Sequence, residues 1–116
     1  MTQEKPPFVH QVEDTPEAQV LILGGWVDCT RSTDLMEMLD KMRKEKPKNL
    51  VIDLGAVSHI DSAGLGVLVA ERTRRSQAGC KMRLCSVSPN VMRVFEASRL
   101  DRVLDIQADR QSALIF

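Results

Sequence analysis

Leu50-Val51-Ile52-Asp53-Leu54, followed at a short interval by His59-Ile60-Asp61-Ser62-Ala63-Gly64-Leu65-Gly66, is the passage on which the fold turns. The first run is short and mostly apolar, and its Val and Ile favour a strand buried on both faces. It is predicted as a central strand. Beyond the second run, Leu65, Leu68, Val69 and Arg72 recur at helical spacing, Arg72 offering only its aliphatic stem to the apolar face, until Gly79 supplies a C-terminal stop. Strand therefore gives way to helix at Asp61-Ser62. Either residue is a natural N-cap, because its side-chain oxygen can accept from the N–H groups of the first turn. Gly64 and Gly66, so early in a helix, cost about 1 kcal/mol each relative to alanine. Bare backbone at that cost points either to tight packing or to close approach of another molecule.

Outward from this centre, Phe8-Val9-His10-Gln11-Val12 reads as a short edge strand, and Glu13-Asp14-Thr15-Pro16-Glu17 as a polar turn. Val20-Leu21-Ile22-Leu23 reads as a second, buried strand that Gly24-Gly25 either ends or bends. Trp26-Val27-Asp28-Cys29-Thr30 leads into a helix with an apolar side of Leu35, Met38, Leu39 and Met42, its N-cap among Thr30, Ser32 and Thr33. The basic run from Lys41 to Lys46 suits the negative end of the helix dipole and reads as a solvated helix end, and Pro47 prevents continuation.

Downstream of the centre, Glu71 and Arg75 are spaced for an i,i+4 pair. Met82-Arg83-Leu84-Cys85 is a further strand, and Ser88-Pro89 opens a helix whose buried stripe is Val91, Val94 and Phe95. A strand at Val103-Leu104-Asp105-Ile106 and a terminal helix opening near Asp109 close the chain. Repeated strand-helix alternation calls for an α/β fold with a largely parallel sheet, while the first two strands, joined by a short turn, pair antiparallel.

A chain of 116 residues fits one domain, expected over residues 8–116 behind a flexible tail at residues 1–7, where Pro6-Pro7 bars a helix. Hydrophobic residues make up 43% and charged residues 28%, a globular soluble profile. Sixteen basic residues balance sixteen acidic ones, so bulk charge attracts no nucleic acid. The apolar runs fall short of the roughly 18 residues that membrane insertion requires. The N-terminus lacks the basic-then-apolar pattern of a secretory signal, and a cytoplasmic location is expected. Cys29, Cys80 and Cys85 lack the paired spacing of a zinc site and read as reduced thiols. His10 and His59 are the only histidines, and no cluster suggests a metal or other cofactor.

Two kinds of catalysis can be weighed at the centre. His59, Asp61 and Ser62 are the residue types of a hydrolase triad, but residues this close on a strand-to-turn segment point in different directions. Ile60 also stands where a nucleophile elbow has glycine. His59 reads as a half-exposed loop residue. Gly64-Leu65-Gly66 lies at a helix start that favours anions, yet neither a Walker lysine nor a full dinucleotide glycine pattern accompanies it. No enzyme is indicated. Such a helix start would accommodate a phosphate attached to Ser62, whose own reading is divided between capping and modification.

Asp61-Ser62-Ala63-Gly64-Leu65-Gly66, preceded by Val51-Ile52-Asp53-Leu54, resembles the signature of the STAS domain, shared by sulfate-transporter tails and bacterial anti-sigma factor antagonists. The resemblance extends from about Val20 to Phe116 through the order of elements. It implies a mixed, mostly parallel sheet with about four helices packed mainly on one side. It also implies an anti-sigma factor antagonist whose unphosphorylated form binds an anti-sigma factor with serine kinase activity and so releases the sigma factor. Phosphorylation of Ser62 would break that complex, and a serine phosphatase would restore it. Ala63 replaces a second hydroxyl residue often found there, leaving Ser62 as the acceptor and Ser58 as its nearest competitor.

Asp28 matches an aspartate that, in the family's Gly-Glu-Leu-Asp pattern, lies near the phosphorylated serine, but Trp26 takes the place of the glutamate. Trp26 reads either as a partly buried loop anchor or as an aromatic hot spot. The expected partner-binding set is therefore Trp26, Asp28, Ser58, Asp61, Ser62, Ala63, Gly64, Leu65 and Gly66. Two other readings use the same fold: a scaffold subunit of a stressosome-like signalling assembly, and an accessory cytosolic subunit of a transporter.

Overall fold

The computed structural model describes residues 6–116, so part of the expected tail, residues 1–5, lies outside the described residues. The elements run β1 (Val9–Asp14), β2 (Ala18–Val27), α1 (Ser32–Glu45), β3 (Asn49–Ile60), α2 (Ser62–Gln77), β4 (Met82–Cys85) and α3 (Pro89–Ala97). A 3-10 turn (Leu100–Arg102), β5 (Asp105–Gln107) and α4 (Arg110–Ala113) complete the chain. The sheet order is β1-β2-β3-β4-β5. β1 is antiparallel to β2, and the remaining pairings are parallel, as the alternation of elements requires.

Alternation along the central strands sorts side chains between two faces. Leu21 and Leu23 of β2, Leu50, Ile52 and Leu54 of β3, and Met82 and Leu84 of β4 point to one side. There they meet Leu35, Leu39 and Met42 of α1, Leu65 and Leu68 of α2, and Val91 and Phe95 of α3. Ala18, Val20, Val51 and Cys85 face the other side, where Ala113 of α4, with Leu114 and Phe116, covers them. Arg83 holds this end in place, its guanidinium 4.4 Å from the Phe116 ring centroid and 3.0 Å from the Asp105 carboxylate. Burial also pushes the Cys85 thiol pKa up, because the apolar surroundings disfavour a thiolate.

Several elements depart from the sequence reading. β1 begins one residue later than expected and takes in Glu13 and Asp14, which pair with Val20 and Gln19. As an edge strand it is held by backbone pairing, so polar side chains facing water do not end it. β2 passes through Gly24-Gly25 and bends there. β3 is twelve residues long and not five, and its pairing with β2 shifts register between Ile22 and Gly24 and again between Gly25 and Trp26. Each shift inserts an extra residue into β3, so its buried positions Leu54, Val57 and Ile60 fall every third residue. That spacing hides the strand from a search for period two.

α1 has Arg31 at its N-cap without a side-chain cap, because the hydroxyls expected there are used elsewhere. Thr30 Oγ1 donates to Asp28 Oδ1 at 2.6 Å and Ser32 Oγ donates to the Cys29 carbonyl at 3.1 Å. Val94 of α3 is only half-buried, and Arg72 of α2 is exposed. The last strand is shorter and later than expected, since Val103 follows the 3-10 turn and is exposed, while Leu104 is buried in the core before the strand begins and Ile106 packs partly against it.

The largest correction concerns charge. Glu71 and Arg75, spaced as a helix-surface pair, are instead buried at 1% and 0% exposure. Arg75 Nε donates to Glu71 Oε2 at 2.7 Å, and its Nη1 donates to the Lys48 carbonyl at 2.7 Å and to Gln19 Oε1 at 3.3 Å. Arg43, part of the basic run read as solvated, pairs with Glu71 and with Asp40 and is largely buried. The network ties α1 to α2 and α2 to the start of the sheet. Removing one member takes a partner from an opposite buried charge, which costs about 3–5 kcal/mol, whereas replacing Glu71 and Arg75 together by apolar residues avoids much of that penalty and leaves Arg43 paired with Asp40. Urea denaturation should therefore show Arg75→Met and Glu71→Leu each losing about 3–5 kcal/mol. The double variant should lose clearly less than their sum, and strict additivity would show that the two charges act independently.

Candidate functional site

β4 pairs with β3 only over Leu50–Asp53, and β1 reaches only as far as Gly24 of β2. The ends of β2 and β3 therefore project together past their neighbours, with Gly25 opposite Val57, Trp26 opposite His59 and Val27 opposite Ile60. The predicted strand-to-helix passage sits at the tip of this ribbon. Asp61 N donates to the Val27 carbonyl at 3.3 Å. Its carboxylate then accepts twice, from Gly64 N at 3.0 Å through Oδ1 and from Cys29 N at 3.0 Å through Oδ2. The first bond makes Asp61 the N-cap of α2, and the second binds the loop after β2 to the loop after β3. Of the two alternatives open in the sequence, Asp61 is the cap.

Ser62 is the first residue of α2 and is exposed. Asp28 is buried, with its Oδ1 accepting from Thr30 N at 3.1 Å and from the Thr30 hydroxyl, which shapes the entry to α1. Asp28 and Ser62 are brought into one neighbourhood through the Cys29–Asp61 bond, since each is next in sequence to one of its partners. Ser58 is exposed on β3.

His59 is also exposed, and it lies on a strand and not in a loop. Its ring centroid is 5.0 Å from that of the half-buried Trp26, at an interplanar angle of 46°. With His59 against Trp26 and both Asp61 oxygens held by backbone N–H groups, His59, Asp61 and Ser62 do not assemble into a nucleophile relay.

The two glycines separate. Gly64 is buried, and a Cβ added there would lie 2.4 Å from the Val27 carbonyl oxygen and 2.9 Å from Ile60 Cγ1. Packing alone accounts for it. Gly66 is exposed, and a Cβ there would meet nothing within 4 Å. Ala63 is half-buried, and Leu65 is part of the core. Sequence reasoning missed His59 as a neighbour of Trp26, and it missed the Val27 carbonyl and Cys29 amide as partners of Asp61. Backbone groups leave no residue-type signal, and the Trp26–His59 pairing depends on the register shifts in β3.

Among the described residues, no group of three or more His, Cys, Asp or Glu could hold a metal ion, and no helix is long and apolar enough to cross a membrane. Cys29, Cys80 and Cys85 are all free thiols, exposed, half-buried and buried respectively.

The STAS domain family model matches residues 10–113. An anti-sigma F factor antagonist of Paenibacillus polymyxa is 30% identical over 107 residues, covering 90% of this chain and 92% of that protein. The crystal structure of an anti-sigma factor antagonist from Mycobacterium paratuberculosis superposes with a TM-score of 0.83 at 24% identity, over 93% of this chain and 92% of that one. The Bacillus cell fate determinant SpoIIAA in its phosphorylated form has the same fold, with a TM-score of 0.69 at 19% identity over 90% of this chain and 96% of that one.

The contact between Gly64 and the Val27 carbonyl yields a stability test. Alanine at position 64 would gain about 1 kcal/mol of helix propensity. It would also force backbone against backbone at the ribbon tip, and overpacking of that kind costs about 1–3 kcal/mol or more. Gly64→Ala should therefore lower the melting temperature by several degrees in a thermal scan. An unchanged or raised value would show that the ribbon tip yields freely.

Proposed function

This chain belongs to the STAS domain family, and from that membership we propose that it is an anti-sigma factor antagonist switched by phosphorylation of Ser62. In the unmodified state the ribbon tip and the first turn of α2 bind an anti-sigma factor that is also a serine kinase, and the sigma factor is released. Within that complex the Ser62 hydroxyl attacks the γ-phosphorus of ATP. A new O–P bond forms, the bond to ADP breaks and the hydroxyl proton passes to a base of the kinase. A phosphatase then hydrolyses the Ser62 phosphoester with water, breaking the O–P bond, restoring the hydroxyl and releasing inorganic phosphate.

What supports this reading above all is the division of labour between neighbouring residues. Asp61 supplies the cap, so Ser62 stands exposed at the first helical position with no capping task. The likeness to an anti-sigma F factor antagonist along nearly the whole of both chains supports the choice of partner, and a shared fold with a protein solved in a phosphorylated form is consistent with the switch. Partner binding draws on Trp26, Asp28, Ser58, Asp61, Ala63, Gly64, Leu65 and Gly66 around Ser62, some by contact and the buried ones by shaping the tip.

Magnitudes show why such a switch can act on binding and spare the fold. Phosphate adds about 1.5 to 2 negative charges at pH 7. At a helix N-terminus that charge stabilises by about 0.3–1 kcal/mol. Facing a partner carboxylate at ~4 Å with an effective dielectric near 20, each like-charge pair costs about 4 kcal/mol before screening.

Incubation with the partner kinase and ATP should give one phosphopeptide, containing Ser62, and Ser62→Ala should take up no phosphate. Labelling at Ser58 with Ser62 silent would overturn the assignment. Ser62→Asp should melt within a few degrees of the wild type and bind the anti-sigma factor at least tenfold more weakly, a loss of about 1.4 kcal/mol. Trp26→Ala, tested by calorimetry on the same partner, should lose about 2 kcal/mol of binding. That loss should change little with salt, because ring burial and not charge is removed.

A further inference from the structure

β1 is the outermost strand of the sheet and pairs with β2 alone, so its other edge is unpaired among the described residues. Five of its six residues are exposed, Val12 among them at 45%. Edge strands ordinarily carry a lysine, a proline, a bulge or a cover that blocks further pairing. Val9–Asp14 contains neither lysine nor proline, and its register runs from Val9 opposite Gly24 to Asp14 opposite Gln19 without a bulge.

The hairpin turn settles which main-chain groups line that edge. Thr15 N donates to the Ala18 carbonyl at 2.9 Å, which makes Thr15 and Ala18 a hydrogen-bonded pair. Bonded and non-bonded pairs alternate along an antiparallel ladder, so Glu13 and Gln11 bond to β2, whereas the N–H and C=O groups of Asp14, Val12 and His10 point outward. Two copies of this edge can join antiparallel only with an outward residue opposite an outward residue. Among the registers that meet this condition, the one centred on Val12 pairs all three: His10 with Asp14 of the second copy, Val12 with Val12, and Asp14 with His10. Sliding the strands by two residues leaves only two such pairs within β1.

The side chains fit the same register, because directly paired residues share a face of the sheet. On the helix side the two Val12 side chains meet at the dyad, flanked on either side by His10 opposite an Asp14 carboxylate. On the other face Gln11 lies opposite Glu13. Apolar β-branched pairs and donor–carboxylate pairs of this kind are the contacts that stabilise neighbouring strands. Asp14 already accepts from Lys46 and Lys48, and Glu13 from Arg110. A carboxylate has about four lone-pair positions, so each can take a further donor.

We infer that this chain self-associates through β1 into a two-fold dimer, with Val12 on the dyad and the two five-stranded sheets continuous across it. The joint is short, which puts it in the small class of interfaces, below about 1,200 Å², where association is weak and concentration-dependent. β1 reaches only as far as Gly24 of β2, so the ribbon tips lie beyond the joint and point in opposite directions, leaving both Ser62 hydroxyls uncovered.

Sedimentation equilibrium of the purified 116-residue chain, from micromolar to millimolar concentration, should show the average mass rising from one chain, 13.0 kDa, toward two. Val12→Lys sets two ammonium groups against each other at the dyad. It should keep the single-chain mass over the same range and melt within a few degrees of the wild type. Register is read by oxidation in a background carrying Cys29→Ser and Cys80→Ser, with Cys85 left buried in place. Val12→Cys should form an intermolecular disulfide, since Cα atoms of a directly bonded pair lie about 5.5 Å apart. Gln11→Cys should not, because its two copies are diagonal neighbours about 7–8 Å apart, beyond the reach of a disulfide. A wild type that keeps the single-chain mass at every concentration would overturn the dimer. So would association that Val12→Lys does not reduce, or cross-linking at Gln11→Cys in preference to Val12→Cys.

Discussion

One carboxylate holds the upper end of the molecule together. Asp61 Oδ1 caps α2 through Gly64 N, and Oδ2 reaches across to Cys29 N in the loop after β2. Both acceptor positions point at backbone donors that would otherwise be left at a helix start and a strand end. The cap fixes where α2 begins, and the cross-link fixes where the entry to α1 lies relative to it. Once both are set, the chain has no room at Gly64 for a side chain, because the helix start is pulled against the Val27 carbonyl. Ser62 is exposed as a consequence of the residue before it doing the capping.

A second polar device works at the opposite end of the sheet. Arg75, Glu71, Arg43 and Asp40 link α2 to α1, and the Lys48 carbonyl and Gln19 bring in the starts of β3 and β2. Burying these charges costs desolvation that their mutual attraction only offsets when every bond is well placed. One guanidinium nitrogen, Nη2 of Arg75, has no hydrogen-bond partner among the described residues, so the network carries a residual cost. Its benefit is specificity of helix placement, since sliding α1 along α2 by one residue would break it. Surface pairs such as Lys46 and Lys48 with Asp14 do a weaker version of the same task in water. There the lysines hold the Asp14 carboxyl below its usual pKa.

The two devices leave the proposed switch mechanically separate from the core. Ser62 sits outside the packed layers, at a helix end whose field tolerates added negative charge. The ribbon formed by the ends of β2 and β3 carries the Trp26–His59 pair beside it, away from the buried ion network. A modification there can alter what the surface presents without having to unpack α1, α2 or α3.

Much of this was legible in the sequence. The alternation of apolar runs and helical stripes determined an α/β chain with a mostly parallel sheet, and Ser88-Pro89 and Asp109 marked helix starts that the structure keeps. Local patterns of this kind arise from side-chain periodicity and capping, which act within a few residues. Only the tertiary structure decided the length of β3, because two inserted residues break its alternation and pairing with β2 replaces it. Only the tertiary structure buried Glu71, Arg75 and Arg43, since the spacing of a helix-surface pair is the same whether water or another helix lies over it. Likewise it alone separated Gly64 from Gly66. Both glycines read identically along the chain, and what distinguishes them is the Val27 carbonyl of β2, whose oxygen would lie 2.4 Å from a Cβ added at Gly64, whereas a Cβ at Gly66 would meet nothing within 4 Å.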